Sequence, residues 1–170
     1  MGDISSIIVD GYNVIGTSHN NREKAREELV DLMIRYKKIK KEHDITVVFD
    51  GHKGGRGGES SAVTGSVTVI YSGLGERADE VIKRIISKQR KEWIVVSSDR
   101  EIGRHAWSVN SIPVPSDAFL EKITRAESGE YSYPEAGNRP DIYEDVPSRK
   151  GNPHQLSKRE KAVRRALSKL

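Results

Sequence analysis

Three short apolar runs in this chain each lead into an aspartate. The runs are Ile-Ile-Val, Val-Val-Phe and Ile-Val-Val, and they precede Asp10, Asp50 and, after two serines, Asp99. Short runs rich in β-branched residues are typical of strands buried in a parallel sheet. In an open α/β sheet the ligand site lies beyond the carboxyl ends of the strands. The sequence therefore predicts that these three aspartates meet at one edge of a parallel sheet.

A fourth carboxylate, Asp79, stands near the start of a predicted helix. It lies three residues before Ile82 and seven before Ile86, so it borders the buried face of that helix, where an unpaired carboxylate is costly. Four carboxylates at one sheet edge would repel one another unless a cation lies among them. Oxygen ligands of this kind suit Mg²⁺ or Mn²⁺ acting on phosphate. The predicted metal ligands are Asp10, Asp50, Asp79 and Asp99.

Simpler roles remain open for some of these residues. Asp10 and Asn13 could form an Asx turn that closes a βα loop. Alternatively, Asn13 could donate to a phosphate oxygen or hold the carboxylate of Asp10. Asp99 could cap the helix that follows it, and this role is compatible with metal binding.

The predicted elements alternate along the chain, which indicates an α/β fold with a mostly parallel sheet. We predict strands at 4–10, 45–49, 67–71, 93–97 and 112–114, and helices at 22–40, 76–90, after Asp99, and from a Ser116 cap to near Gly129. Residues 51–66 hold six glycines and are predicted to be irregular.

Composition excludes several kinds of site. The chain has 170 residues and no cysteine, so disulfides and thiolate zinc sites are impossible. The five histidines show no metal-ligand spacing. No apolar run approaches the length of a membrane span. We therefore expect a cytoplasmic protein of one domain and a tail, with no membrane partner.

Charge is concentrated at the C-terminal end. Residues 149–170 hold eight Lys or Arg and one Glu, a charge of +7, so with a net charge of +4 residues 1–148 carry −3. We divide the chain into a domain (1–127), a linker (128–156) and a basic helix (157–170). The basic helix is predicted to hold a nucleic acid. The alternatives are a solvated tail, or docking of an apolar stripe onto the body or onto a second copy of the chain. The stripe consists of Val163, Ala166, Leu167 and Leu170.

Basic residues near the predicted site are further candidates for RNA contact. His52, Lys53 and Arg56 lie in the glycine-rich segment, where close approach to an RNA backbone is possible, although a plain surface insert is an equal alternative. Arg100 directly follows Asp99. In the basic helix the candidates are Lys158, Arg159, Arg164 and Arg165.

Four motifs, at residues 10–13, 48–52, 77–80 and 97–101, together resemble the NYN domains of the PIN-like nuclease superfamily, and most closely the bacterial YacP-type proteins. The resemblance covers roughly residues 4–126 and implies a PIN-like (NYN) three-layer fold. It also implies that the catalytic residues are Asp10, Asn13, Asp79 and Asp99, with Asp50 as a further acidic position.

The function implied is that of a Mg²⁺- or Mn²⁺-dependent endoribonuclease, with ribosome-associated cleavage of messenger RNA as a finer expectation. The alternative is a non-catalytic module that binds RNA or the ribosome on the same scaffold. A receiver domain would need two adjacent acids after the first strand, and a haloacid-type phosphatase would need an acid at Tyr12. The sequence does not indicate an oligomeric state.

Overall fold

The structure, a computed structural model, describes residues 5–16, 21–51, 57–89, 91–129 and 156–170. Six strands and six helices occur in these ranges. The strands are β1 (Ser6–Asp10), β2 (Asp44–Phe49), β3 (Ser60–Thr64), β4 (Val67–Tyr71), β5 (Trp93–Val96) and β6 (Ile112–Val114). The helices are α1 (Gly11–Ile15), α2 (Arg22–Ile39), α3 (Ala78–Lys88), α4 (Arg100–Ser108), α5 (Ser116–Ser128) and α6 (Lys158–Lys169).

The strands form one sheet in the order β3-β4-β2-β1-β5-β6. All neighbouring strands are parallel except β3 and β4, which are antiparallel. Val9 in the central strand β1 pairs with Val47 on one side and Val96 on the other. The expected α/β fold with a mostly parallel sheet is confirmed.

Helices cover both faces of the sheet, which gives three layers. Side chains of α2, α5 and α6 form a core on one face, for example Met33, Phe119 and Val163. On the other face, α3 and α4 pack through residues such as Ile82 and Ile102. Alternate residues of β1 supply the two cores, because successive side chains of a strand point to opposite faces.

The helix α2 shows how local sequence sets these elements. The side chain of Asn21 caps it by accepting a hydrogen bond of 3.1 Å from the Lys24 backbone amide, as is common at helix starts. Its apolar stripe follows helical spacing, and the buried members are Ala25, Leu29, Met33 and Tyr36. Because the helix follows β1 and returns to the start of β2, its first residues lie near the carboxyl edge of the sheet.

The strand β3 corrects one expectation, because residues 51–66 were predicted to be irregular. Residues 60–64 form a fully exposed strand paired with β4. Gly65 and Ser66 connect the two strands, and both have positive φ (55° and 67°), a two-residue turn that favours hairpins. Five of the six glycines precede residue 59, so the composition of the whole segment concealed this hairpin.

The helix α6 packs onto the body of the protein. Val163, Ala166 and Leu170 are each only 1 % exposed. The Tyr36 hydroxyl donates to the Leu170 backbone oxygen at 2.7 Å, and the His43 ring lies 2.9 Å from the Lys169 backbone oxygen. The docked alternative therefore describes this helix better than a free tail. The proposed linker falls largely in residues 130–155, outside the described ranges, so the domain boundaries remain a prediction.

None of the described helices is both long and apolar enough to cross a membrane.

Candidate active site

Three of the predicted aspartates follow three adjacent strands at the carboxyl edge of the sheet. Asp10 is the last residue of β1, Asp50 directly follows β2, and Asp99 lies three residues beyond β5. The central position of β1 places Asp10 between the other two. Their charges are close enough to act on one another, because both Asp50 and Asp99 raise the pKa of Asp10.

The carboxyl group of Asp10 has a raised pKa. Burial is the main cause that raises its pKa from 3.8 to about 6, and the two neighbouring carboxylates add to the rise. Two hydrogen bonds oppose the shift: the Ser97 hydroxyl donates to Oδ2 at 3.1 Å and the Asn13 backbone amide to Oδ1 at 3.5 Å. Asp10 is therefore a desolvated acid whose proton is lost near neutral pH.

Each of the three aspartates also supports the start of a helix. Asp10 caps α1 through the Asn13 amide. Asp50 Oδ1 accepts a hydrogen bond of 2.7 Å from the Ala78 amide, at the first residue of α3. Asp99 Oδ1 caps α4, accepting from the amides of Glu101 and Ile102 at 2.7 and 3.2 Å. The positive ends of three helices thus face the same edge and partly offset its negative charge. The expected cap at Asp99 is confirmed.

The Asn13 backbone amide binds the carboxylate of Asp10, whereas its side chain contacts other residues through Oδ1. Asn13 Oδ1 accepts hydrogen bonds from the Ser98 amide at 2.7 Å and the Ser116 hydroxyl at 2.6 Å. The Ser116 amide donates to Ser98 Oγ at 3.1 Å. Ser116 was expected to cap α5, but Pro115 holds that position, which leaves the serine hydroxyl free to join α5 to α1. The helix ends at Gly129, with a φ of 72°, as predicted.

Asp79 has partners of its own. Its carboxylate lies 3.3 Å from Arg77 Nε and 3.5 Å from Lys83 Nζ, and Lys83 also pairs with Glu101 on α4. Asp79 is 18 % exposed, so it borders the buried face as the helical spacing predicted. By contrast, no ion pair to Lys or Arg occurs within the described ranges for Asp10, Asp50 or Asp99.

The four predicted carboxylates do not form one metal shell in this arrangement. No group of three or more His, Asp or Glu side chains among the described residues could hold a metal ion. The ion pairs of Asp79 give a physical reason, because two cations already balance the charge of that carboxylate. The set of four aspartates as ligands of one ion therefore stays a prediction, and Asp79 would have to leave its ion pairs to join it.

A family model described as the YacP-like NYN domain matches residues 7–164. The chain belongs to this family. The match extends into α6, so the YacP-like domain model includes most of the docked helix as well as the sheet. Membership of this nuclease family implies an RNA-related nuclease function.

Solved structures have a similar fold. The crystal structure of a point mutant of Rae1 (YacP) from Bacillus subtilis matches with a TM-score of 0.60 and 24% identity, covering 74% of this chain and 79% of that one. A second crystal structure of the same protein matches with a TM-score of 0.59 and 23% identity, covering 74% and 77%. No curated protein matches the sequence. At this identity the likeness shows the fold alone.

The predicted RNA-binding residues of this YacP-like chain occupy different surroundings. His52, Lys53 and Arg56 lie outside the described ranges. Arg100 is exposed at the first position of α4, beside the carboxyl edge. The remaining candidates, on α6, are treated below.

Two cations of α6, Arg165 and Arg159, have contacts that locate them, and these contacts lie away from the carboxyl edge of the sheet. Arg165 pairs at 3.2 Å with Glu92, which precedes β5 and so lies at the opposite edge of the sheet. The Arg159 guanidinium lies 5.4 Å from the centre of the Trp107 ring. Lys158 and Arg164 are exposed. Any RNA contact by α6 would therefore be separate from the aspartates of this YacP-like domain.

Sequence reasoning missed the serines that organise the site. Ser97 is 1 % exposed and Ser116 is 6 % exposed, and both hold site residues through their hydroxyl groups. The signal for Ser97 and Ser98 was their position between the apolar run and Asp99. Ser116 gave no such signal, because it lies 103 residues from Asn13.

Proposed function

We propose that this chain is a Mg²⁺- or Mn²⁺-dependent endoribonuclease whose site lies at the carboxyl edge of the sheet. The observation that carries the proposal is the state of Asp10. Burial and two acidic neighbours raise its pKa to about 6, and no Lys or Arg in the described ranges neutralises the three carboxylates. A divalent cation stabilises such a group of oxygens more effectively than water does.

The residues present fit such an ion in part. We propose that Asp10, Asp50 and Asp99 would hold it once their side chains draw closer together than they are in this structure, because the helix starts use only Oδ1 of Asp50 and of Asp99. When bound, the ion would supply an activated water and charge neutralisation at phosphate. The side-chain amide oxygen of Asn13 accepts hydrogen bonds from Ser98 and Ser116 and so joins the loop after Asp10 to the loop that carries Asp99. We therefore assign Asn13 a positioning role.

Asp79 remains part of the proposal as a fourth acidic residue. Its participation requires release from Arg77 or Lys83. The Arg77 side chain is 77 % exposed, and an ion pair to so exposed a partner contributes only about 0–1 kcal/mol, so this pair is a small obstacle compared with the attraction of a divalent ion. Lys83 also pairs with Glu101, which offers the ammonium group an alternative carboxylate.

The proposed nucleophile is water, and the expected products carry 5′-phosphate and 3′-hydroxyl ends. Attack by the 2′-hydroxyl of RNA would need an acid–base pair, usually including histidine. The two histidines in the described ranges lie elsewhere. His43 is buried before β2, at the opposite sheet edge, and the His105 ring lies 2.7 Å from the Ser87 hydroxyl on α3.

The second candidate function is a non-catalytic RNA- or ribosome-binding module. The ion pairs of Asp79 favour it, since one of the four acids is already neutralised. Cleavage of messenger RNA on ribosomes and a cytoplasmic location are finer proposals that rest on the family resemblance.

The test is to incubate the chain with single-stranded and structured RNAs, with Mn²⁺ or with EDTA, and to map the product ends. We expect the chain to cleave RNA in the presence of Mn²⁺ but not in EDTA. We expect the Asp10→Asn variant not to cleave RNA under either condition. The matched control is Asp31→Asn, which removes an exposed acid from α2. Cleavage that persists in Asp10→Asn would exclude the proposed mechanism, and absence of any cleavage would favour the binding module.

A further inference from the structure

A row of aromatic rings begins beside the three aspartates. The rings of Tyr12 and Phe49 lie 5.4 Å apart between centres and meet edge to face. Phe49 stacks at 5.7 Å on Tyr71, its partner in the β2–β4 register. Tyr12 follows Asp10 by two residues and Phe49 directly precedes Asp50. The row therefore runs from the candidate active site toward β4.

Two arginines of α2 lie over the two ends of this row. The guanidinium carbon of Arg22 is 5.7 Å from the centre of the Tyr12 ring. That of Arg26 is 5.6 Å from the centre of the Tyr71 ring. Residues four apart share a face of a helix, so both side chains project over the same surface. Arg22 is exposed and Arg26 is half-buried.

Neither arginine is paired with a carboxylate of the described residues. Other arginines of the body are, as shown by Arg35 with Glu127 at 2.7 Å and by Arg84 with Glu76. The glutamate that follows each arginine in the sequence is turned about 100° away around the helix. A guanidinium that lies over a ring uses its face for that contact and retains N–H donors at its edge.

We propose that Arg22 and Arg26, supported by the partly buried rings of Tyr12 and Tyr71, form the surface that binds the backbone of single-stranded RNA next to Asp10. This inference rests on the proposed function and specifies where its substrate binds. Three carboxylates repel a polyanion, so binding requires cations beside them. The N–H donors at the edge of a guanidinium group suit phosphate oxygens, and residues four apart on a helix are close neighbours, so the two arginines can serve neighbouring phosphates of the RNA that the proposed function requires.

The structural rival is that the arginines only hold α2 against the aromatic row. An exposed cation–π contact contributes about 0.5–1 kcal/mol, so such a role predicts a lower melting temperature and no effect on RNA binding. The two ideas therefore differ in affinity per folded molecule and in salt dependence.

The experiment measures binding of a short fluorescent oligouridylate to the full chain in EDTA, so that no metal-dependent cleavage occurs. The variant is Arg22→Gln with Arg26→Gln. The matched control is Lys38→Gln with Lys41→Gln, which removes one exposed charge from the last turn of α2 and one from the turn that follows it. We expect the arginine variant to bind at least about tenfold more weakly. The plot of log affinity against log salt concentration should also become less steep, by roughly 1.4 for two lost phosphate contacts; this steepness is called the salt slope. The control should change both much less.

A second variant, Arg22→Lys with Arg26→Lys, retains the charge and loses the planar guanidinium. We expect its salt slope to stay close to that of the unmodified chain. If the glutamine variant is folded and binds like its control, or if the unmodified chain does not bind the oligouridylate, the inference is wrong. If binding depends on the arginines but no RNA is cut with Mn²⁺, the inference stands and the proposed nuclease function fails.

Discussion

The side chain of Ser97 donates a hydrogen bond of 3.1 Å to Asp10 across two neighbouring strands. The same hydroxyl oxygen accepts from the Asp99 backbone amide at 3.1 Å. One buried serine thus joins two of the aspartates and favours the ionised form of Asp10 against the effect of burial. The opposing effects of burial and of this hydrogen bond on the pKa of Asp10 determine how much negative charge the carboxyl edge of the sheet carries near neutral pH.

Removing this hydrogen bond should raise the pKa of Asp10 further. In Ser97→Ala we expect a pKa above the value of about 6 in the unmodified chain, because burial and the two carboxylate neighbours are then opposed only by the Asn13 amide. Carbon-detected NMR of the Asp10 carboxyl group would measure it in metal-free buffer. Ser87→Ala on α3 is a control, and an unchanged or lower value in Ser97→Ala would contradict the expectation.

Asp10→Asn should stabilise the metal-free protein above about pH 6. The folded pKa is raised from 3.8 to about 6. Ionising Asp10 therefore destabilises the folded state progressively from about pH 4 to pH 6, by up to about 3 kcal/mol. Asparagine removes this penalty while keeping an oxygen that can cap α1. Urea unfolding at about pH 4 and about pH 8 measures the difference, with a gain expected only at the higher pH.

The control for this measurement is Asp31→Asn, on the exposed side of α2. It should change the free energy of unfolding little at either pH. A gain from Asp10→Asn that is the same at both pH values would show that desolvation of the carboxylate is not its cause.

Asn13→Ala should destabilise the fold by about 1–3 kcal/mol, because the Ser98 amide and the buried Ser116 hydroxyl lose their acceptor. Ser116→Ala removes one of these donors, and with it the free-energy cost of leaving that donor buried without an acceptor. The double variant should therefore be more stable than the sum of the single effects predicts, with a coupling of about 0.5–3 kcal/mol. Thermal and urea unfolding of the four proteins measure it, and additive effects would contradict the contact.

Val163→Ala should destabilise the whole domain, because this side chain is 1 % exposed and belongs to the core under the sheet. We expect a loss of about 1–3 kcal/mol. Arg164→Ala, on the exposed side of the same helix, should change the free energy of unfolding by less than about 0.5 kcal/mol. Equal, small effects of the two substitutions would indicate that α6 is not docked in solution.

The positions of the central strands and of three aspartates could be predicted from the sequence. Apolar runs leave few alternatives to a buried strand, and parallel strands bring their carboxyl ends to one edge. The apolar run before Asp99 was enough to place it at the same edge as Asp10, whereas the strand order that makes β1 and β5 neighbours came only from the structure.

Other features depend on contacts that no local pattern specifies. The stripe of α6 predicted an apolar face but not the surface that it covers. The partners of Asp79 were visible in retrospect, since Lys83 is four residues further along the same helix, but helical spacing alone could not give preference to an ion pair over a metal. The link from Asn13 to Ser116 depends on tertiary structure throughout.

Asp10 and Asp99 cap helices, and Asp50 accepts a hydrogen bond from the first residue of a third helix, which has a consequence for related chains. Asparagine caps helices as well as aspartate does, so each of these positions can lose its charge while the helix start is kept. A descendant could in this way become chemically inert without any visible change of shape. If the proposed mechanism is correct, the three carboxylates are a better guide to activity in chains of this fold than structural similarity is.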